Sequence, residues 1–509
     1  MSFPKTMSNS RCPWRLERPS SPSSGQSTVS RPFEELPPAP LGKTLKRIWR
    51  AHLLSTDFRE DEVHISECEV VSSYNWMEKP KGSIVVPGMP ARWTPLPEPV
   101  ELKEDCGTYY RDRNAAGYPK HPLEPAVQSI LEIEADSTHS KSFGTVDIFG
   151  CASSLGNLLR FIRGTALPFR ILVEVVGSTV HLVRRERSPF DTIPNVRGYG
   201  HTFPSAYTTW DTEVCGSSSH QRIIRYKLGG LGIFCRFEGD GYLAGDSHSS
   251  RPNSADHCLV ADLSVSSREP SSDDADALTG DEPELKVSAA GNLIHQDLVF
   301  ELKTRSIKRQ CEENFFLEPQ LPRLWLRQVP NLVLAYHSSG TFTDVRVMDV
   351  RSDVKKWENR EATAVKKFVG LLQQIVEAAR DGLEDGLRLE ITYEEGANNI
   401  CIREQEPGLP ELLAPATLER WKTWLRKRDL SHFHWDDGHP DSRNSSDDEP
   451  DDDCSDFHCL SDVDPDDGYE KLDDYSDLHD PSDNEPDDGY EKLDYTACDD
   501  EYSYCGHCE

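Results

Sequence analysis

Carboxylates and a lysine occur at two places in the sequence with the spacing of side chains that share one face of a strand. Glu238 and Asp240 lie in one predicted strand, and Glu301 and Lys303 lie at the end of another apolar run. Residues i and i+2 of a strand point to the same face, so each pair is expected to project together. Three carboxylates and an ammonium group on one sheet suit phosphodiester cleavage with Mg²⁺ or Mn²⁺, which prefer oxygen ligands.

The Glu-x-Lys triplet at 301–303 is weak as an isolated signal, because such triplets occur by chance in most chains of this length. Its alternative interpretation is a solvated strand edge. The apolar residues before it, 298–300, instead favour a buried strand. A buried Lys–Glu pair is costly unless it is used or fully paired, so the context favours a functional site.

The order of these residues resembles the DXO family of eukaryotic decapping exoribonucleases, whose nuclease core is of the PD-(D/E)XK type. The shared pattern is Glu-x-Asp at 238–240, Glu-Leu-Lys-Thr at 301–304 and Trp-x-x-Gln at 325–328. The resemblance covers residues 150–380. It implies an α/β (α+β) fold in which helices flank a mixed central β-sheet.

The resemblance also implies a metal-dependent hydrolase that acts on RNA 5′ ends, by decapping or as a 5′–3′ exoribonuclease. In this hypothesis Asp240, Glu301 and the carbonyl of Leu302 hold Mg²⁺ or Mn²⁺. Glu238 binds a second metal ion or acts as a base. Lys303 orients the attacking water, and Gln328 contacts the site from its helix. By resemblance only, a nuclear 5′–3′ exoribonuclease is a candidate partner.

One position departs from the family pattern. The family has a glycine-initiated motif that ends in a metal-binding Glu, and the best counterpart here, residues 200–204, ends in Pro204. Proline cannot bind a metal, so either Asp211, Glu213 or Glu174 replaces that carboxylate, or one metal position is lost. The alternative function is therefore a catalytically degenerate nuclease-fold protein that acts as an RNA- or protein-binding scaffold.

The net charge of −32 is concentrated at the C-terminal end of the chain. Residues 436–509 contain 29 acidic and 3 basic residues, which leaves the rest of the chain nearly balanced. Basic clusters in that remainder include Arg184, Arg185 and Arg305. They are candidates for binding a phosphate backbone, although solvated surface is the alternative for any single cluster.

Composition divides the chain into three predicted parts. Residues 1–42 are rich in Ser, Pro and Arg and are predicted to be disordered. Residues 43–430 are predicted to form the nuclease-type domain, interrupted by a disordered insertion at 246–292. Residues 431–509 are predicted to be an acidic disordered tail, in which Pro465–Asp473 recurs 21 residues later as Pro486–Asp494.

Several features predict a nuclear or cytoplasmic protein that is neither secreted nor bound to a membrane. No apolar run approaches the length of a transmembrane helix, and no secretory signal is present. The 14 cysteines are scattered rather than spaced as a disulfide framework, which predicts reduced thiols. The basic, Ser-rich start shares its composition with transit peptides but lacks a regular amphipathic stripe.

Overall fold

The computed structural model describes residues 39–53, 64–97, 99–136, 144–194, 196–244, 284–308, 313–384 and 387–431. These ranges contain two mixed β-sheets with helices packed against them. The predicted α/β (α+β) class, with helices flanking a mixed sheet, is confirmed.

The described residues form eighteen strands. They are β1 (Thr44–Trp49), β2 (Ser66–Met77), β3 (Ser83–Pro87), β4 (Arg92–Trp93), β5 (Val100–Glu101), β6 (Ile148–Cys151), β7 (Phe169–Val176), β8 (Thr179–Arg184), β9 (Thr208–Thr209), β10 (Ser217–Leu228), β11 (Leu231–Glu238), β12 (Gly241–Tyr242), β13 (Lys286–Ala290), β14 (Val299–Ser306), β15 (Asn331–Ser338), β16 (Thr341–Asp349), β17 (Leu389–Tyr393) and β18 (Asn399–Glu404).

The first sheet has eleven strands in the order β1-β18-β17-β7-β8-β6-β11-β10-β2-β3-β13. Strand β6 is parallel to both of its neighbours, and β13 is parallel to β3. The second sheet has seven strands in the order β5-β16-β15-β14-β12-β4-β9, with β14 parallel to β15. Strands β11 and β12 are consecutive in the chain but belong to different sheets, so residues 239–240 connect the two sheets.

Eight α-helices occur in the described ranges. They are α1 (Arg113–Gly117), α2 (Glu124–Asp136), α3 (Ala152–Arg163), α4 (Thr202–Tyr207), α5 (Glu313–Arg327), α6 (Arg351–Arg360), α7 (Ala362–Glu384) and α8 (Pro415–Ser431). None of the helices in these ranges combines the length and the apolar character that a membrane span requires.

The first sheet is covered on both faces. In β7, Val173 packs in a core with α3, α5 and α7, whereas the adjacent Leu172 packs in a second core with α2 and α8. Neighbouring residues of a strand point to opposite faces, so each face requires its own apolar set. This double burial explains why the central strands are almost continuously apolar in sequence.

The long helix α7 confirms the amphipathic stripe predicted from Val365 onward. Val365, Phe368, Leu372 and Ile375 are all buried in the first core. Their spacing places them on one face of a helix, which packs against α3 and β7.

Two sequence expectations differ from the structure. The predicted disordered insertion 246–292 is too long, because β13 forms a strand that pairs with β3 along its whole length. The expectation of reduced thiols is wrong for Cys215, which is disulfide-bonded, whereas Cys68, Cys106, Cys151, Cys235 and Cys401 are free. The predictions for residues 1–38, 245–283 and 432–509 lie outside the described residues.

Candidate functional site

Asp240 lies where the chain passes from the first sheet to the second. Strand β11 ends at Glu238, and β12 begins at Gly241 beside β14. The backbone N–H of Leu302 donates a hydrogen bond of 2.7 Å to Asp240 Oδ2. A Cβ atom on Gly241 would lie 2.3 Å from the Phe300 ring, so the close approach of β12 to β14 requires glycine there.

Glu301 and Lys303 project together from β14, as their spacing predicts. The Lys303 Nζ lies 3.1 Å from Glu301 Oε1, and the two side chains are only 7% and 2% exposed. The solvated-edge interpretation is therefore wrong for this pair. Its burial leaves Glu301 dependent on nearby cations, because an isolated carboxylate in such an environment is costly.

Helix α5 supplies two further cations to the same carboxylate. The Arg323 Nη2 lies 2.9 Å from Glu301 Oε1, and the Arg327 Nη1 lies 3.0 Å from Glu301 Oε2. Residues four apart lie on one face of a helix, so both guanidinium groups reach the same strand. Sequence reasoning missed both arginines, although their i,i+4 spacing within the predicted helix was visible.

The pKa values follow from this arrangement. Burial by itself would raise the pKa of Glu301, but Arg323, Lys303 and Arg327 outweigh it and lower the pKa to about 2. Burial and the nearby Arg323 lower the pKa of Arg327 to about 10, while Glu301 and Asp240 act in the opposite direction. Glu301 is thus ionised at neutral pH, and its negative charge is compensated by Lys303, Arg323 and Arg327.

Glu238 points to a different partner from Asp240. Its Oε1 accepts from the Nη1 of Arg113, at the start of α1, over 3.1 Å. The same guanidinium lies 3.5 Å from the ring Nδ1 of His201. Glu238 also lines a small cleft together with Arg111, Arg113, Arg236 and other polar residues. Glu238 and Asp240 thus have different partners, and only Glu238 lies within β11.

The predicted contact of Gln328 with the site is not found. Helix α5 ends at Arg327, and Gln328 has a left-handed φ of 50° that turns the chain away. Its side-chain Nε2 donates to the carbonyl of Trp325 over 2.6 Å. The preceding residue, Arg327, occupies the position facing Glu301 instead.

The three arginines predicted to bind substrate are engaged within the fold. Arg184 pairs with Glu186, and Arg185 lies 2.9 Å from Glu390, a carboxylate that Arg170 also binds. The guanidinium of Arg305 lies 4.2 Å above the ring of Phe316. Their role in binding RNA remains a prediction.

Pro204 is buried in α4, next to Phe203, which packs in an apolar cluster with strands of the second sheet. The three carboxylates considered as replacements make other contacts. Asp211 lies 3.1 Å from Arg92, Glu213 accepts from Asn292 over 3.0 Å, and Glu174 lies 3.3 Å from Arg388.

These donors do not fit a bound Mg²⁺ or Mn²⁺ as they are arranged. Within the described ranges, no group of three or more His, Cys, Asp or Glu side chains could hold a metal ion. Both oxygens of Glu301 face side-chain cations at 2.9–3.1 Å. A divalent cation placed there would be repelled by three positive charges.

A family model matches residues 53–404, which is more than half of the chain. The chain belongs to the DUF8563 family. That family is described as a domain of unknown function. No curated protein matches this DUF8563 chain.

The DUF8563 chain is similar in structure to DXO-type proteins, the family that its motifs resemble. Rai1 of Scheffersomyces stipitis, in complex with (3′-NADP)⁺ and calcium, is 10% identical, with a TM-score of 0.46 over 78% of this chain and 100% of that one. Candida albicans Rai1, in complex with pU5 and Mn²⁺, is 10% identical, with a TM-score of 0.43 over 76% and 99%. K. lactis Dxo1, in complex with manganese, is 9% identical, with a TM-score of 0.37 over 72% and 97%.

Proposed function

We propose that this chain is a nuclease-fold protein that binds RNA 5′ ends and has lost metal-dependent hydrolysis. The observation that supports it is the set of three cations around Glu301, the carboxylate predicted to hold the metal. Asp240, the second predicted ligand, accepts a backbone hydrogen bond from Leu302. The third, Glu238, is paired with Arg113.

Binding a divalent ion would require Glu301 to exchange its arginines for the metal. Arg327 is almost wholly buried and would then lose its nearest carboxylate partner. Breaking a buried pair typically costs about 3–5 kcal/mol, because an uncompensated charge remains. The arginines therefore compete directly with Mg²⁺ or Mn²⁺ for the same oxygens.

The cleft beside Glu238 is the candidate binding site for the RNA 5′ end. It is lined by Arg111, Arg113 and Arg236, against Asp112 and Glu238. Guanidinium groups bind phosphate oxygens in a planar, bidentate manner, and phosphate contacts position nucleic acids without reading their sequence. The choice of RNA as the ligand rests on the resemblance of the sequence motifs to the DXO family.

The metal-dependent hydrolase remains the second candidate function. The buried ion pair of Glu301 and Lys303, on one face of β14, favours it. In that function Lys303 would stabilise charge in the transition state, and Mg²⁺ or Mn²⁺ would displace Arg323 and Arg327 from Glu301.

The two functions are separated by binding and cleavage assays on one set of RNAs. Oligonucleotides of identical sequence carrying a 5′ triphosphate, a cap or a 5′ hydroxyl are titrated with purified protein in EDTA, Mg²⁺ or Mn²⁺. We expect tighter binding of the triphosphate RNA than of the hydroxyl RNA, the same affinity in EDTA and in Mn²⁺, and no product. Arg113→Gln should weaken this binding about tenfold, whereas Arg346→Gln, in an ion pair on β16, should not.

Release of product that requires Mn²⁺ and disappears in Lys303→Ala would establish the hydrolase instead. Equal affinity for triphosphate and hydroxyl RNA would reject recognition of the 5′ end.

A further inference from the structure

An apolar and basic surface lies at one edge of the first sheet. Seven large apolar side chains are exposed in the described ranges, and three of them, Leu41, Leu45 and Trp49, fall within nine consecutive positions. Their exposed fractions are 43%, 41% and 44%. Such clustering of exposed apolar side chains is typical of an interaction site.

Strand β1, which carries Leu45 and Trp49, has one face in the core and one face outside it. Ile48 is buried in the first core, and Lys46 lies 3.9 Å from Glu377 of α7. Alternation along the strand therefore directs Arg47 and Trp49 to the opposite face. The register of the pairing between β1 and β18 shifts between Thr44 and Lys46, so Leu45 lies at a bulge. Bulges disfavour the addition of a further strand at an edge, so a ligand here would use side chains.

Basic side chains alternate with the apolar ones. Lys43 and Arg47 are both exposed, and neither forms an ion pair within the part of the chain that the structure describes. We call Leu41, Lys43, Leu45, Arg47 and Trp49 the β1 surface. Strand β1 is the terminal strand of its sheet, with β18 on its other side, so this surface has no neighbouring strand beyond it in the described ranges.

We propose that the β1 surface binds the acidic tail of this same chain, through the repeats Pro465–Asp473 and Pro486–Asp494. Each repeat contains one Tyr and one Leu among acidic residues, which complements a surface where apolar and basic side chains alternate. Residues 436–509 contain 29 acidic and only 3 basic residues, so the electrostatic attraction extends along the segment. This interaction is independent of the function proposed above.

Charge argues against the segment that precedes β1 as the occupant. Residues 1–38 contain five basic and three acidic residues, so they carry the same sign as Lys43 and Arg47. Like charges in contact are unfavourable, and no acidic repeat occurs in that segment.

The tail can reach the β1 surface. Helix α8 ends at Ser431, and 33 residues separate it from the first repeat. A segment of that length can span up to about 110 Å. Because the tail is tethered, binding is intramolecular, and the effective concentration of a repeat is about 1 mM. A repeat with a dissociation constant of about 0.1 mM would therefore be bound about 90% of the time.

Cys401 provides a reporter on the same face. It is a free thiol of intermediate exposure, directly opposite Arg47 in the β1–β18 ladder. Directly opposite residues of an antiparallel pair share one face of the sheet. A docked repeat should therefore shield Cys401 from alkylation, while the exposed thiol of Cys106 serves as an internal control.

The test compares full-length proteins by mass spectrometry after alkylation with N-ethylmaleimide. In the repeat variant, Tyr469, Leu472, Tyr490 and Leu493 are changed to Ala. The matched control changes two Leu and two Tyr outside the repeats to Ala, at Leu460, Leu478, Tyr502 and Tyr504. We expect alkylation of Cys401 to be about tenfold faster in the repeat variant, but unchanged in the control variant. The rate at Cys106 should be the same in all three proteins.

A carbodiimide cross-link gives a second readout, because it joins Lys43 to any carboxylate in contact with it. Wild type should give cross-links between Lys43 and the repeats, and these should weaken in high salt. Equal Cys401 rates in wild type and repeat variant, without such cross-links, would overturn the proposal. Acceleration in the control variant as well would show that the repeats are not the ligand. If Cys401 is protected from alkylation in concentrated protein but not after dilution, the ligand of the β1 surface is a second copy of the chain.

Discussion

Arg327 lies against Glu301 in the interior of the protein, with Nη1 3.0 Å from Oε2 and both side chains 2% exposed. The next residue in sequence, Gln328, is the one predicted to contact the site, but it turns away at the end of α5. A one-residue difference in where the helix ends thus places a cation, rather than an amide, beside the carboxylate. Glu301 is therefore paired with side-chain cations inside the fold.

Removing the two arginines should expose Glu301 to metal. In the double variant Arg323→Gln/Arg327→Gln, Lys303 still balances Glu301, and two of the three cations that repel Mn²⁺ are gone. We expect the affinity for Mn²⁺, measured by isothermal titration calorimetry, to rise at least about tenfold over wild type. The matched control is Arg346→Gln/Arg360→Gln, which removes two arginines from more exposed ion pairs. Equal Mn²⁺ affinity in wild type and the double variant would mean that the arginines do not compete with metal.

Glu301→Gln should destabilise the fold strongly. The substitution leaves Lys303, Arg323 and Arg327 close together with their shared carboxylate gone, and loss of a buried partner typically costs about 3–5 kcal/mol. Glu318→Gln removes the partner of Arg360 at an exposed position, where pairs contribute about 0–1 kcal/mol. Urea unfolding of both variants measures the two free energies. A similar, small loss in both would show that Glu301 is not the centre of a buried charge cluster.

The sequence was informative where a local pattern determines the outcome. The i,i+2 spacing of Glu301 and Lys303 and the apolar stripe from Val365 follow from the periods of a strand and a helix. The sequence was uninformative about contacts between residues that are distant in the chain. Arg113 is 125 residues from Glu238, and no local pattern indicates that it takes that carboxylate.

The predicted disordered insertion at 246–292 extends too far toward β13 for the same reason. The sequence around β13 is Ser- and Ala-rich and close to a long polar segment, so its composition resembles a loop. Its strand conformation depends on the pairing of Lys286–Ala290 with Ser83–Pro87, which are about 200 residues away. Strand propensity depends on the tertiary context of a segment, and that context is absent from a local window.

Stability should fall between pH 6.5 and pH 4 because of His181. This side chain is buried, and its Nε2 accepts from Trp421 Nε1 over 3.0 Å. Burial lowers the pKa of His181 from its usual value of 6.5 to about 4, although backbone hydrogen bonds oppose this change. As the pH falls below 6.5 the unfolded chain binds a proton that the folded chain does not. The free energy of unfolding should therefore decrease by about 3 kcal/mol over this range.

The measurement is urea unfolding of wild type and His181→Gln at several pH values. The difference between the two proteins should change between pH 6.5 and pH 4 and remain constant above pH 7. His295→Gln, at a side chain that is 75% exposed, is the control and should retain the wild-type dependence. A pH dependence in His181→Gln equal to that of wild type would contradict the assignment.

The crossing between the two sheets should depend on Gly241. A Cβ at this position would lie 2.3 Å from the Phe300 ring and 2.8 Å from the carbonyl oxygen of Ala91, so Gly241→Ala must separate β12 from one of its neighbouring strands. That separation would weaken the hydrogen bond from the Leu302 N–H to Asp240. We expect a loss of about 1–3 kcal/mol in urea unfolding and faster amide exchange at Leu302.

Gly370→Ala is the matched control for this change. Gly370 lies within α7, and its Cβ would meet no atom within 4 Å. Alanine is a better helix former than glycine, so this variant should gain about 0.5–1 kcal/mol. If both substitutions stabilise the protein, β12 has room to move, and the position of Asp240 beside Leu302 does not depend on the close contact at Gly241.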